Sequence, residues 1–213
     1  MLIVHHLGVS QSERIVWLCE ELGVPYELKC YRRNAHDRLA PPEYKALHPL
    51  GAAPVITDGA LTLAESGAIV EYIINKYGGG RLALRLDHPD YASYLHWFHF
   101  ANGTLQHVGL RLMVLRRLEL AADNPQLRGT EWRLKLALDH VEARLGEADY
   151  FAGSELTAAD IMIVFSLTTM RYFVPLDLAG YPNILAYLQR IGGRPAYRRA
   201  MAKGDPEMTP LLT

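Results

Sequence analysis

Strand-like patterning in this 213-residue chain is confined to its first third. Nothing after residue 88 alternates convincingly, and helical periods dominate from there on. That asymmetry points to a small α/β domain followed by an all-helical one. The opening run Leu2-Ile3-Val4 reads as a strand that ends near Gly8. A helical pattern begins at Ser12: Ile15, Leu18, Cys19 and Leu22 fall at i, i+3, i+4 and i+7, and Gly23 stops it. Pro25 opens a second extended run, Tyr26 to Tyr31. Strand, helix and strand in so short a stretch form a βαβ unit, which requires parallel strands and a right-handed crossover.

Residues 32–42 read as a loop ending in Pro41-Pro42, with one or two helical turns after it over Glu43 to Leu47. Pro54 to Thr57 is predicted as a short strand, Asp58-Gly59 as a hairpin turn, and Ala60 to Leu63 as its antiparallel return. Glu65 to Tyr77 then reads as a helix stopped by Gly78-Gly79-Gly80. These boundaries assign residues 1–78 to the α/β domain, 79–88 to a linker and 89–213 to the helical domain. Helices are predicted there over Pro89 to Ala121, Pro125 to Leu145, Thr157 to Phe173, Pro182 to Ile191 and Pro195 to Ala202.

The charge balance narrows the function. Lys plus Arg is 22 and Asp plus Glu is 23, a formal net charge of −1. That disfavours a general nucleic-acid binder and an anionic-membrane binder. With 50% hydrophobic and 21% charged residues the chain is not disordered. No uninterrupted apolar run is long enough to span a bilayer, and Met1 to His6 is too short for a signal peptide, so a cytoplasmic location is expected. Cys19 and Cys30 cannot make a disulfide framework, and both are expected to be buried, reduced thiols. His96 and His99 stand at i, i+3, but no third ligand has sensible spacing, so no metal is expected. His5 and His6 are neighbours in a strand and point to opposite faces.

Four local motifs carry more specific information: Ser10-Gln11-x-x-Arg14, His48-Pro49-Leu50-Gly51-Ala52-Ala53-Pro54-Val55, Leu63-Ala64-Glu65-Ser66-Gly67-Ala68-Ile69, and Phe151-x-Gly153-x-x-x-Thr157-x-Ala159-Asp160. X-Pro is the peptide bond for which cis is cheap. A cis bond at Ala53-Pro54 would turn the Ala53 N–H and C=O toward a cleft, where an extended peptide can pair. The plainer reading is a trans proline opening an edge strand. Glu65-Ser66, in a first helical turn, suits ordinary capping or a carboxylate-binding site. Thr157-x-x-Asp160 is a capping box that should nucleate a buried helix rather than touch substrate. In this order and spacing the four motifs resemble the cytosolic glutathione S-transferase family, and the chain looks like a bacterial serine-type member. The resemblance implies a thioredoxin-like first domain and the family's all-helical second domain.

It also implies a function: conjugation of glutathione, as co-substrate, to a hydrophobic small-molecule electrophile, with a detoxification role. The cysteinyl part of glutathione would pair with the Ala53 backbone beside Pro54. Ser66 would hold the γ-glutamyl carboxylate and Glu65 the α-ammonium group. No tyrosine follows the first strand and no cysteine stands at Ser10, which leaves the serine type. Where many relatives carry a lysine before the V-P segment, this chain has Ala52. The glycine carboxylate must then find a partner among Arg32, Arg33, His36 and Lys45, with Lys45 and His36 the named candidates. Trp97 and Phe100 are candidates for the electrophile pocket, with core packing as the plainer reading. The family also implies a homodimer. The alternatives are a non-catalytic protein of the same fold, or glutathione-dependent peroxidase, isomerase or dehalogenase work.

Ser10 is the expected catalytic group, with Ser12 as the fallback. A hydroxyl is a poor acid, and no histidine–acid pair is placed by motif to activate it, so its use is to donate to the glutathione sulfur. A free thiol has a pKa of ~8.5. One hydrogen bond to a charged acceptor contributes about 1.5–3 kcal/mol, enough to lower that value by one to two units. Ser10-x-x-Glu13 also fits a capping box, a role compatible with donation because a hydroxyl accepts while it donates.

Overall fold

The computed structural model describes every residue, Met1–Thr213. Its elements, in chain order, are β1 (Leu2–Leu7), α1 (Glu13–Leu22), β2 (Glu27–Tyr31), α2 (Pro42–Lys45), β3 (Val55–Asp58), β4 (Leu61–Ala64), α3 (Ser66–Lys76), α4 (Tyr91–Phe100), a π-helical segment (Ala101–Gln106), α5 (His107–Arg117), α6 (Pro125–Glu147), α7 (Ala158–Leu167), a 3-10 turn (Thr169–Tyr172), α8 (Pro182–Gly193) and α9 (Pro195–Gly204). They form two compact units. One is Met1–Ala83 with Gly192–Pro210, the other Leu84–Ile191 with Leu211–Thr213.

The first unit is built on a mixed sheet of order β2-β1-β3-β4. β1 and β2 are parallel, with Leu7 opposite Tyr31, as the βαβ reading requires. β3 runs antiparallel to both β1 and β4. Leu2, Val4 and Ile56 of the sheet, Ile15 and Leu18 of α1, and Ile69 and Ile73 of α3 are all core residues, none more than 1% exposed. Each such side chain contributes about 1.5–3 kcal/mol by leaving water. Gly23 ends α1 at φ 64°, a left-handed cap that a side chain would strain. At the β3 end of the hairpin, Asp58 accepts from Lys76 Nζ (2.6 Å), Tyr77 Oη (2.6 Å) and Tyr72 Oη (2.8 Å). The Lys76 ammonium foremost holds that carboxyl well below the usual range.

The stretch around α9, which the sequence alone groups with the helical half, belongs by contact to the first unit. Its partner is α1. Glu20 pairs with Arg199 and Lys203, Glu21 pairs with Arg194, and Trp17 meets Tyr197 edge-on at 5.1 Å between centroids. Helical periodicity shows that α9 is a helix but not which helix it covers. Cys19 is buried on α1, and burial pushes its thiol up to about 12. Cys30 corrects the expectation of two buried thiols. It lies exposed, because β2 is an edge strand.

The second unit is helical throughout. The single helix predicted from Pro89 is interrupted: α4 passes through the π segment Ala101–Gln106 into α5. The apolar period continues across the join, so the sequence gives no sign of it. Every residue of α7 is buried, and a helix apolar all round must be central. Thr157 and Asp160 cap it reciprocally: the Thr157 side chain accepts from the first turn, and Asp160 Oδ2 accepts from Thr157 N–H at 2.8 Å. Asp160 also accepts from Thr157 Oγ1 (3.2 Å), Phe151 N–H (3.1 Å) and Tyr187 Oη (3.0 Å). No helix of the chain is long and apolar enough to cross a membrane.

Candidate functional site

Strand register gathers the motifs at one end of the sheet. Val55 pairs with His5 of β1 and with Ala64 of β4. The loop leaving β1 with Ser10, the loop entering β3 with Ala53-Pro54, and the start of α3 with Glu65-Ser66 therefore converge. The Ala53-Pro54 bond is cis. Side chains from the α1 motif tie the three loops together. Gln11 Nε2 donates to the Ala53 carbonyl at 2.8 Å. Arg14 Nη1 donates to Gln11 Oε1 at 2.9 Å and reaches Ser66 Oγ at 3.4 Å. Arg14 is fully enclosed, and burial pulls its guanidinium down to about 9, which still leaves it cationic near neutrality. One lone pair of the Ala53 carbonyl is therefore already used. The Ala53 N–H donates to no protein group.

Backbone strain marks two of the loops. Glu65 has φ 70° and Val9 has φ 51°, both in the left-handed region that favours glycine. Such conformations cost about 1–3 kcal/mol each and persist only where surrounding contacts enforce them. At Val9, a β-branched residue, the enforcing contacts are on view. Its N–H donates to Asp205 Oδ1 at 2.9 Å, and its carbonyl accepts from Arg33 Nη2 at 3.2 Å. Arg33 also donates to the carbonyls of Gly8 and Arg38. Holding the loop occupies this arginine, which removes it from the four candidates for the glycine carboxylate. Lys45 is exposed, and its stem lies against Gly51, a few residues before Pro54. His36 is exposed in the loop after β2, and Arg32 lies beside Glu207.

Ser10 and Ser12 face each other with their oxygens 2.8 Å apart. Ser10 Oγ accepts from Ser12 N–H at 3.2 Å, so it shapes the turn into α1 rather than closing a capping box with Glu13. Ser12 is completely buried; its oxygen accepts from Leu7 N–H (3.1 Å) and lies 2.9 Å from His6 Nδ1. Ser10 is the outer of the two, at 5% exposure. His6 is itself fully buried, and its Nε2 meets Asp205 Oδ2 at 3.0 Å. A histidine–acid pair thus stands behind the serines, which the motifs did not reveal because its acid comes from the far end of the chain. His5, on the opposite face of β1, bonds Tyr31 Oη and Thr57 Oγ1 and serves packing.

The candidates in the helical unit are placed differently. Trp97 stacks on His140 at 4.6 Å and, with His96, Ser93 and Glu147, lines a hollow of about 270 Å³. Phe100 packs edge-on against Trp97 at 5.0 Å. Thr157 and Asp160 are committed to the α7 cap and to Tyr187.

Comparison with known proteins agrees with this layout. Residues 10–76 match the family model described as the N-terminal domain of glutathione S-transferase, and residues 117–195 match its C-terminal domain. The chain is 35% identical to "Glutathione S-transferase 3" of Schizosaccharomyces pombe, over all of this chain and 92% of that one. It is 28% identical to "Glutathione S-transferase 1" of Saccharomyces cerevisiae, over 94% of each. The crystal structure of a glutathione S-transferase from Actinobacillus pleuropneumoniae superposes with a TM-score of 0.87 at 35% identity, covering 96% of this chain and 93% of that one.

Proposed function

The chain belongs to the glutathione S-transferase family and is a glutathione transferase, and on that premise we propose that it works by the serine mechanism with Ser10 as the thiol's hydrogen-bond donor. The observation that supports this reading is the convergence of Ser10, Ala53-Pro54 and Glu65-Ser66 at one end of the sheet, joined through Gln11 and Arg14. Glutathione lies extended across that end. Its cysteinyl N–H and C=O pair with the Ala53 backbone, where one carbonyl lone pair and the N–H remain for it. Its γ-glutamyl carboxylate takes the Ser66 hydroxyl, with the cationic Arg14 behind it, and its ammonium group takes Glu65. Lys45 receives the glycine carboxylate, since Arg33 is occupied and the Lys45 stem lies against Gly51, just before Pro54.

Ser10 then donates to the sulfur, and the thiolate attacks an electrophilic carbon by substitution or addition. Ser10 is preferred to Ser12 because the Ser12 oxygen is fully enclosed by Leu7, His6 and Ser10. The bond lowers the thiol's pKa by about one to two units. Ser10→Ala is expected to cut conjugation of an aryl halide about 10-fold or more at pH 6.5, with little change in glutathione affinity and a deficit that shrinks as pH rises. Equal rates at pH 6.5 would refute the assignment. The proposed setting is a cytoplasmic homodimer acting on hydrophobic electrophiles in detoxification. Sedimentation equilibrium at micromolar concentration is expected to give twice the mass of one chain; a monomer mass would overturn that part.

A further inference from the structure

Four buried groups form one hydrogen-bonded line: Ser10 Oγ to Ser12 Oγ (2.8 Å), Ser12 Oγ to His6 Nδ1 (2.9 Å), and His6 Nε2 to Asp205 Oδ2 (3.0 Å). None of the four residues is more than 8% exposed. The Ser12 oxygen also accepts from Leu7 N–H at 3.1 Å and lies 3.3 Å from the Leu7 carbonyl, a longer bond than either it makes along the line. With the Ser12 proton kept on the line, the donors and acceptors allow two arrangements. With Asp205 a carboxylate, His6 Nε2 must carry a proton and donate to it. If His6 Nδ1 is bare, it accepts from the Ser12 hydroxyl. Ser12 then has room for the Ser10 hydroxyl as donor, and the Ser10 proton points inward. If His6 Nδ1 carries a proton instead, that N–H donates to Ser12 Oγ, and the Ser12 proton turns to Ser10 Oγ. Ser10 then accepts from both the N–H and the O–H of Ser12, and its own proton points outward.

We propose that this line is the proton acceptor of the thiol, so that His6 takes up the proton glutathione loses; the proposal rests on the reading of Ser10 as the group at the sulfur. The step balances as a relay. The S–H bond breaks and its proton goes to Ser10 Oγ. The former Ser10 proton goes to Ser12 Oγ, and the former Ser12 proton goes to His6 Nδ1. What remains is a thiolate facing the new Ser10 O–H, and an imidazolium bonded to Ser12 on one side and to the Asp205 carboxylate on the other. No co-reactant is needed, and the outward hydroxyl is the one that stabilises the anion.

A second observation assigns Asp205 a positioning role. Its other oxygen, Oδ1, accepts from Val9 N–H and holds the strained turn that delivers Ser10. One carboxylate thus orients both the relay and the loop carrying its outer end. The remaining groups around His6 are accounted for. Gly204 borders the ring, and an added Cβ would come within 3.1 Å of Nε2. Cys30 stands opposite His6 on β2. The Arg33 charge acts on Asp205 while its donors are bound to the carbonyls of Gly8, Val9 and Arg38.

The test counts protons. Glutathione is titrated into the enzyme at pH 7 in weak buffer. The thiolate is read from its ultraviolet absorbance and released protons from an indicator dye. The relay keeps the proton on the protein, so the wild type is expected to release close to none per thiolate formed. A hydroxyl that only donates must release about one, and that result would overturn the relay without any substitution. Ser12→Ala cuts the line while keeping Ser10, His6 and Asp205. It is expected to raise the ratio to about one and to move the acid limb of the kcat/KM profile upward by about a pH unit, a roughly tenfold loss below neutrality. A Ser12→Ala ratio and profile equal to those of the wild type would also overturn it. Failure of the Ser10 reading is seen separately, as a full thiolate band in Ser10→Ala.

Discussion

Asp160 is the carboxylate most easily mistaken for a catalytic acid, and Asp160→Asn tests whether its duty is structural. Two donors converge on each of its oxygens: Phe151 N–H and Tyr187 Oη on Oδ1, Thr157 N–H and Thr157 Oγ1 on Oδ2. An amide places an NH2 on one side. The hydroxyls can rotate to accept from it, but the backbone N–H of Phe151 or Thr157 cannot. One buried donor is orphaned at about 1–3 kcal/mol and the charge-assisted bonds on the other side weaken, for a total of roughly 2–4 kcal/mol. In a chain of this size that lowers Tm by roughly 5–15 °C. The pH dependence sharpens the test. Burial holds the Asp160 carboxyl up at about 6 despite its four donors, against ~3.9 in an unfolded chain. A folded value above the unfolded one gives stability that is full below pH ~4 and is lost as pH rises through ~6. The protonated acid still satisfies its partners, since its O–H turns to a hydroxyl while each oxygen keeps a lone pair for an N–H. The gap in Tm between wild type and variant is therefore expected to be wider at pH 4 than at pH 7. Scanning calorimetry at the two pH values measures it, and Asp58 cancels because both proteins carry it. Equal Tm values, or a gap that widens with pH, would refute the reasoning. A folded variant that lost kcat at 25 °C would make Asp160 part of the chemistry instead.

Other substitutions probe the remaining joints. Gln11→Met removes the bond to the Ala53 carbonyl and the acceptor for Arg14, and is expected to raise KM for glutathione several-fold with kcat nearly unchanged; steady-state kinetics that show the reverse split would count against the clamp. Asp58→Asn removes the acceptor shared by Lys76, Tyr77 and Tyr72. Because that carboxyl is held low in the folded state, its stabilisation is present above pH ~4 and lost on acidification. The variant's urea midpoint is expected to fall at pH 7 and to lose part of its dependence between pH 5 and 2, and an unchanged acid transition would refute the assignment.

What was legible in the sequence was what local spacing encodes. Ile15, Leu18 and Leu22 announce α1 because an α-helix returns every 3.6 residues. Thr157 and Asp160 announce the α7 cap because their bonds close within three residues. The parallel pairing of β1 and β2 follows from the helix between them. The end of the sheet that carries Ser10, Pro54 and Ser66 was reached through motif order, and the register of Val55 with His5 and Ala64 supplies the physical reason. The misses share one cause. Gln11 meets Ala53, His6 meets Asp205, and Glu20 meets Arg199 only after the chain has folded back, and none of these side chains bears a local mark of its partner. The π segment at Ala101–Gln106 escaped for another reason, since the buried positions Ala101, Leu105, Gly109 and Leu112 keep ordinary helical spacing through it.

The alliance of α9 with α1 bears on how the molecule is made. A ribosome releases the chain from its N-terminus, so β1 to α3 emerge long before Gly192–Pro210. Until those residues appear, Glu20 and Glu21 lack their arginines, Trp17 lacks Tyr197, and Val9 must hold its left-handed turn without Asp205. The first unit therefore starts before the second, yet it stays open until nearly all of the second has been made. A premature stop after Ile191 would leave every residue of the sheet in place and still abolish the site, by removing a segment that carries none of the family's binding motifs.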